Sequence, residues 1–177
     1  CAGPWPGMTR GLWRNPERYE ETYWSRWEGK WYHGDFASVD EDGYWYLHGR
    51  SDDVITVAGK RVGPAEVESA VVDTGLVAEA AAVAMPHEVK GQSVHVFAIP
   101  KEMDDEAAAR QALSDAVVER LGKPFKPGGI HFVDDLPRTK TAKILRRAIQ
   151  AKAQGKDPGD LSSIANPEAL DAIEPVT

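Results

Sequence analysis

The residues best suited to chemistry are basic side chains gathered in one short stretch near the end of the sequence. Five of them lie between positions 138 and 147, in the run Leu136-Pro137-Arg138-Thr139-Lys140-Thr141-Ala142-Lys143-Ile144-Leu145-Arg146-Arg147. Thr141 is a good helix cap, which would place Lys143 in a first helical turn beside exposed amides. A lysine opposes the helix dipole there, unless dipole and ammonium face one bound anion. The stretch predicts an anion site, with a solvated basic helix face or a nucleic-acid patch as alternatives.

Two earlier stretches also carry groups suited to binding a nucleotide or a phosphate. In Tyr32-His33-Gly34-Asp35 the carboxylate follows a glycine at a predicted strand end, where it can accept hydrogen bonds from both hydroxyls of a ribose. Asp after Gly is also common in plain turns. In the run from Gly49 to Gly63, Arg50 and Arg61 flank a glycine turn, and the alternative there is a surface hairpin with solvated charges.

Composition limits the class of protein. The 177 residues include 21 Lys plus Arg and 28 Asp plus Glu, a formal charge of −7, so any polyanion must be met by a local patch and we expect no nucleic-acid partner. No apolar run approaches the ~18 residues that cross a membrane, so we expect no membrane partner. The lone Cys1 excludes an internal disulfide and a thiol zinc site, which indicates a reducing, cytoplasmic setting.

Hydrophobic periodicity predicts an α+β fold. Short strands are expected at 30–33, 36–39, 44–48, 54–57, 77–85, 93–99 and 130–133, and helices from Pro64, over 105–121 and over 142–152. The body would be a small sheet flanked by helices, and the Gly, Pro, Asp and Ser content from Gly155 onward predicts an extended tail. Four tryptophans among residues 1–30 have no sustained period, and we expect them to pack on other apolar surface, for which a part of the protein outside this sequence is one candidate.

Four ordered motifs together resemble a known family. They are Tyr-x-Gly-Asp at 32–35, Gly-Arg-x-Asp-Asp at 49–53, Gly-x-Arg-Val-Gly-Pro-Ala-Glu-Val-Glu at 59–68 and Pro-Arg-Thr-x-Thr-Ala-Lys-Ile-Leu-Arg-Arg at 137–147. Their order and spacing resemble the acyl-adenylate-forming enzymes, which include acyl-CoA synthetases, the adenylation domains of peptide synthetases and luciferase. The front, Pro4 to Met8, and the tail, Gly159 to Pro167, look like the AMP-forming acetyl-CoA and propionyl-CoA synthetases.

The resemblance implies a two-step reaction and a divided chain. A small carboxylic acid attacks the α-phosphate of MgATP to give acyl-AMP, and the thiol of CoA then displaces AMP while a small C-terminal lid rotates between the steps. Residues 1–51 would be the distal end of a large N-terminal adenylation domain, 52–153 the mobile lid and 154–177 the tail. The ligands of Mg would lie in the missing upstream domain, and we expect no metal site in this chain. The chain alone should be inactive.

The resemblance assigns a role to individual residues of the adenylation step. Asp35 would hold the ribose hydroxyls, Arg50 would contact the nucleotide phosphate or ribose, and Lys143 would bridge the carboxylate and α-phosphate oxygens. The usual Ser-Gly before this lysine is Thr141-Ala142 here, which keeps the predicted cap but removes the glycine's flexibility. Acetylation of Lys143 by a lysine acetyltransferase, reversed by a deacetylase, would neutralise the ammonium.

The second step would use other residues. Asp52 would be the hinge, and Gly59 and Arg61 would lie on the face turned inward for thioester formation, with Gly59 letting pantetheine pass close to the backbone. The alternatives are a non-catalytic module that binds CoA or a regulatory partner, or the lid of another adenylate-forming enzyme.

Overall fold

The computed structural model describes residues 1, 3–102 and 104–176, without the side chain of His48. Helices α1 to α5 are Pro16–Tyr23, Pro64–Val72, Glu106–Leu121, Arg146–Ala153 and Pro167–Asp171. Strands β1 to β7 are Asp35–Val39, Trp45–Arg50, Ile55–Val57, Lys60–Val62, Val77–His87, Gly91–Pro100 and Gly129–Phe132. The chain divides into two compact units, Cys1–Asp35 and Phe36–Thr177. The predicted α+β class is confirmed, and no described helix is long and apolar enough to cross a membrane.

The first unit is built on a buried tryptophan. The Trp31 ring stacks on Tyr23 with ring centroids 4.2 Å apart, and Trp5 and Trp24 meet it edge-on at 5.6 Å. The strand predicted at 30–33 is wrong, because these residues pack through aromatic rings and form no ladder. Helix α1 was not predicted from the sequence, although Asn15 caps it: its side-chain oxygen accepts a hydrogen bond from the amide of Arg18.

The second unit contains a twisted sheet with one hydrophobic cluster on each face. Strands β1 and β2 pair separately, whereas β4, β3, β6 and β5 are neighbours in that order and β7 lies parallel beside β6. Side chains alternate along β6, so Val94 and Val96 enter the first cluster and Phe97 the second. Helices α2 and α3 cover the first cluster, and α4 covers the second.

The C-terminal segment is a packed part of this unit and not the extended tail that its composition predicts. Leu170 and Ile173, at and just after the end of α5, are buried in the second cluster, and the Val176 amide donates to the Ala153 carbonyl at 2.8 Å. Polar and turn-forming residues dominate the composition of the segment, so its few apolar side chains, which are the ones that pack into the core, give no clear pattern in the sequence. The domain boundaries predicted at 51/52 and 153/154 remain predictions.

Candidate active-site surface

Lys143 lies on a β-hairpin, not in the first turn of a helix. Helix α4 begins at Arg146, so the helix predicted from residue 142 is wrong in its start. The Thr139 amide donates to the Lys143 carbonyl and the Leu145 amide donates to the Pro137 carbonyl, both at 2.8 Å. The loop 140–142 therefore joins two short paired segments, and Lys143 follows its tip.

The loop conformation explains why the helix cannot start earlier. Ala142 has φ +63°, a left-handed conformation that ends any helix, and its amide donates to the Thr139 carbonyl at 2.8 Å. The Lys143 amide donates to Thr139 Oγ1 at 3.1 Å, and that oxygen lies 3.0 Å from Thr141 Oγ1. Because α4 begins at Arg146 after Leu145, Thr141 is not its cap, and the amides of Ala142 and Lys143 are bonded within the hairpin.

The five basic side chains of this stretch divide into two kinds. Each arginine binds within the chain: Arg138 to Glu79, Arg146 to Glu68, and Arg147 to the carbonyls of Pro158 and Asp160. Lys140 and Lys143 are exposed, and across residues 1, 3–102 and 104–176 no carboxylate oxygen lies within 4.0 Å of either ammonium. The lysines are therefore the cations that this hairpin presents to solvent.

The Arg146–Glu68 pair ties two of the sequence motifs together. Arg146 Nε and Nη2 each donate to one carboxylate oxygen of Glu68 at 2.7 Å, and this hydrogen bonding raises the pKa of Arg146. Asp53 lies in the same charged group, and burial raises its pKa, followed by repulsion from Asp52. Glu68 and Asp53 were not predicted as part of this site, and no local pattern links Glu68 to Arg146 because 78 positions separate them in the sequence.

The Gly59 turn connects β3 and β4. Val57 pairs with Lys60, and the two residues between them, Ala58 and Gly59, have φ +48° and +80°. Positive φ at both positions is the pattern of a type I′ hairpin turn, which matches the twist of the strands. Among the described residues other than Gly59 and its two chain neighbours, no heavy atom lies within 4 Å of where a Cβ on Gly59 would be, and Arg61 beyond the turn is exposed.

Comparison with known proteins identifies this arrangement. The sequence pattern of the family described as "AMP-binding enzyme C-terminal domain" matches residues 66–143. The chain carries an AMP-binding enzyme C-terminal domain. The match ends on Lys143 and includes Glu68, so the domain takes in both the exposed lysine and the acid that holds Arg146.

Relatives that align with most of this chain are members of the same family. Acetyl-coenzyme A synthetase from Methanothrix thermoacetophila is 45% identical over 96% of this chain and 27% of its own length. The ATP-bound MatB from Rhodopseudomonas palustris has a TM-score of 0.67 at 27% identity, over 80% of this chain and 27% of that one. Acetoacetyl-CoA synthetase from Streptomyces lividans is 23% identical and shares the fold, with a TM-score of 0.85 over 98% of this chain and 27% of its own. The chain spans about a quarter of each relative, and the family predicted from its motifs is confirmed.

The remaining predicted residues of the chain lie at or near the ends of other elements. Arg50 ends β2, and its Nε lies 3.0 Å from Oδ1 of Asp52, so the predicted nucleotide contact and the predicted hinge form an ion pair. Asp35, in the first unit, lies 3.2 Å from His33 Nε2. The described residues contain no group of three or more His, Cys, Asp or Glu side chains arranged to hold a metal ion. The roles of Asp35, Arg50 and Asp52 stay predictions.

Proposed function

We propose that this chain is the C-terminal part of an AMP-forming short-chain acyl-CoA synthetase, that residues 52–153 are its lid and that Lys143 is its adenylation lysine. The observation that carries the proposal is the exposed Lys143 ammonium on a hairpin whose neighbouring arginines are bound within the chain. A cation with no acidic partner nearby is available to anions on another domain. The relatives named acetyl-coenzyme A synthetase support acetate as the acid, and the ATP-bound neighbour supports ATP.

The charge of Lys143 suits the first step. A carboxylate and an α-phosphate must approach each other, and repulsion between two unit charges at 4 Å is about 4 kcal/mol in a medium of effective dielectric 20. An ammonium between the two groups offsets that repulsion, and its effect is largest as charge redistributes around phosphorus. Loss of Lys143 should therefore lower turnover in adenylation much more than it lowers ATP binding. Acetylation of Lys143 by a lysine acetyltransferase should do the same.

The second step would use a different part of the lid. The Gly59 turn belongs to strands that pack into the first hydrophobic cluster, whereas Ile144 and Leu145 beside Lys143 pack against the second. The Gly59 turn thus lies at the end of two strands of the sheet itself, whereas the Lys143 hairpin packs against the face that carries the second cluster. We assign Gly59 and Arg61 to the face that meets CoA, and Asp52 to the hinge between the two orientations.

The upstream domain completes the proposed site. Asp35 and Arg50 would bind the nucleotide beside residues of that domain, which would also supply the ligands of the Mg²⁺ that accompanies ATP. The cytoplasmic location predicted from the lone cysteine belongs to the same proposal.

The test is acetate-dependent exchange of pyrophosphate into ATP by the intact enzyme that contains this chain. Lys143→Gln should lower the exchange rate by about 10²-fold to 10³-fold, while thioester formation from supplied acetyl-AMP continues. Lys140→Gln is the matched control, because Lys140 is exposed on the same hairpin and has no assigned role. Equal exchange rates in the two variants would refute the role of Lys143. CoA binding by an intact enzyme that shows no exchange would instead favour the non-catalytic module.

A further inference from the structure

The hairpin that carries Lys143 is fastened at its base by charged side chains. Arg146 comes directly after the second segment of the hairpin and is the first residue of α4. Its guanidinium makes two parallel hydrogen bonds of 2.7 Å to Glu68 on α2. A two-point contact of this kind restricts direction as well as distance, which a single lysine contact cannot do.

Glu68 is itself held in place. It lies in the middle of α2, its side chain is only 13% exposed, and Oε1 also accepts the Ala82 amide of β5 at 2.9 Å. The position of Arg146 is therefore set by contacts that lead to a helix and to an edge strand of the sheet at once. The Arg146 side chain is 29% exposed, so solvent screens this pair less than it would a pair on the open surface.

The other segment of the hairpin is fastened in the same way. Arg138 Nη1 lies 2.8 Å from Glu79 on β5, and its amide donates to Asn166 Oδ1 at 2.8 Å. Between these two attachments the loop is held by hydrogen bonds within the hairpin and by the Lys140 amide, which donates to the Ser163 carbonyl at 3.0 Å, and Ile144 and Leu145 pack against the second cluster. The two charged attachments at the base thus contribute to where the backbone of Lys143 lies.

We propose that Glu68 and Arg146 are positioning residues for adenylation, which they serve by fixing the backbone of the hairpin that presents Lys143. The inference rests on the proposed function of Lys143. The long side chain of Lys143 can compensate for small displacements of its own backbone. A shift of the whole hairpin by about 1 Å moves the ammonium away from the reacting oxygens, and a displacement of this size lowers the rate on the order of 10²-fold.

The experiment measures both half-reactions of the intact enzyme in Glu68→Gln, which keeps an acceptor for the Ala82 amide but removes the charge. The expected result is a fall of about 10-fold to 100-fold in the maximal rate of acetate-dependent exchange, with the KM for ATP and the thioester step from supplied acetyl-AMP within about 2-fold of wild type. Arg146→Lys keeps the charge without the fork and should show the same selective loss.

Two controls separate positioning from simple loss of stability. Val117→Ala removes buried side-chain volume from α3 in the first cluster and lowers the melting temperature without touching this pair. Glu106→Gln breaks the exposed Glu106–Arg110 pair. Neither should change the ratio of the two half-reactions.

Each result has a distinct meaning. An equal fall of both half-reactions in Glu68→Gln, matching Val117→Ala at the same melting temperature, would overturn the positioning role, and so would an unchanged exchange rate. Absence of acetate-dependent exchange in the wild-type enzyme would refute the proposed function itself. Loss of exchange in Lys143→Gln but not in Glu68→Gln would leave that function intact and reject only this inference.

Discussion

Thr139 and Lys143 are partners across the hairpin loop: the Thr139 amide donates to the Lys143 carbonyl, and the Lys143 amide donates to Thr139 Oγ1. The two bonds, 2.8 and 3.1 Å long, leave Ala142 to make the turn in a left-handed conformation. Glycine adopts this conformation without cost, whereas alanine is destabilised in it by roughly 1–2 kcal/mol.

Ala142→Gly should therefore stabilise the chain. The strain relieved is partly cancelled by the greater freedom of glycine in the unfolded state, so the expected gain is about 0.5–1 kcal/mol in the free energy of unfolding, measured by urea denaturation. Ala112→Gly, at an exposed position inside α3, is the control and should lose about 1 kcal/mol. A loss of stability in Ala142→Gly as large as in the control would contradict the strained turn.

Gly59→Leu should separate the stability of the lid from its chemistry. Space around the missing Cβ is open, so the cost to folding is limited to the positive φ of +80°, roughly 1–2 kcal/mol. In the intact enzyme the side chain should obstruct CoA, so that thioester formation falls while acetate-dependent exchange remains. Ala58→Leu, in the same turn at φ +48°, tests whether bulk anywhere in the turn is enough. Full thioester activity in Gly59→Leu would remove Gly59 from the proposed CoA face.

His95 and His131 should make stability depend on pH. His95 Nδ1 lies 3.1 Å from His131 Nε2, and burial, followed by the charge of His131, lowers the pKa of His95 to about 4. Burial and Arg110 also lower the pKa of His131. Since the unfolded state binds protons from about pH 6.5 downward and the folded state does not, stability should be complete above pH 6.5 and fall toward pH 4.

The contribution of His95 is measured by comparing the urea midpoints of wild type and His95→Asn between pH 7 and pH 4.5. The variant should lose less stability over this range, by about 1 kcal/mol once partial exposure to solvent is allowed for. The difference between the two curves isolates the histidine, because both proteins share the same carboxylates. Parallel curves would show that the pair does not couple protonation to folding.

Leu170→Ala should show that the C-terminal segment belongs to the folded unit. The side chain is 2% exposed in the second cluster, so its truncation should cost about 2–4 kcal/mol in the free energy of unfolding. Val89→Ala, at a side chain 89% exposed in the turn between β5 and β6, should change stability by less than about 0.5 kcal/mol. Equal effects of the two substitutions would mean that the segment does not contribute to the core.

Elements with a strong local pattern in the sequence are present in the structure. Strands predicted at 77–85 and 93–99 are present as β5 and β6, and the helix predicted over 105–121 is α3, capped by Asp105. β5 contains an unbroken apolar run buried on both faces of the sheet, β6 alternates between the two clusters, and α3 buries Ala109, Leu113 and Val117 at helical spacing. The four motifs were enough to identify the family.

The start of α4 shows where local patterns fail. Thr141, Ala142 and Lys143 have no feature that forbids a helix, and the apolar residues after them have helical spacing. What stops the helix is the pairing of Thr139 with Lys143 and the bridge of Thr139 to Ile164, a residue that lies in the C-terminal segment. A contact between segments so far apart has no signature in the run itself.

Residue types, order and spacing were sufficient for the α+β class and for the family, because local periodicity and short motifs are properties of neighbouring residues, and they made Lys143 the candidate whose role stays a prediction. Only the tertiary structure shows that Arg138 is bound to Glu79 and Arg146 to Glu68, while Lys143 is exposed. Which cation remains available depends on acids that come from distant parts of the chain, and only packing brings those acids within hydrogen-bonding distance.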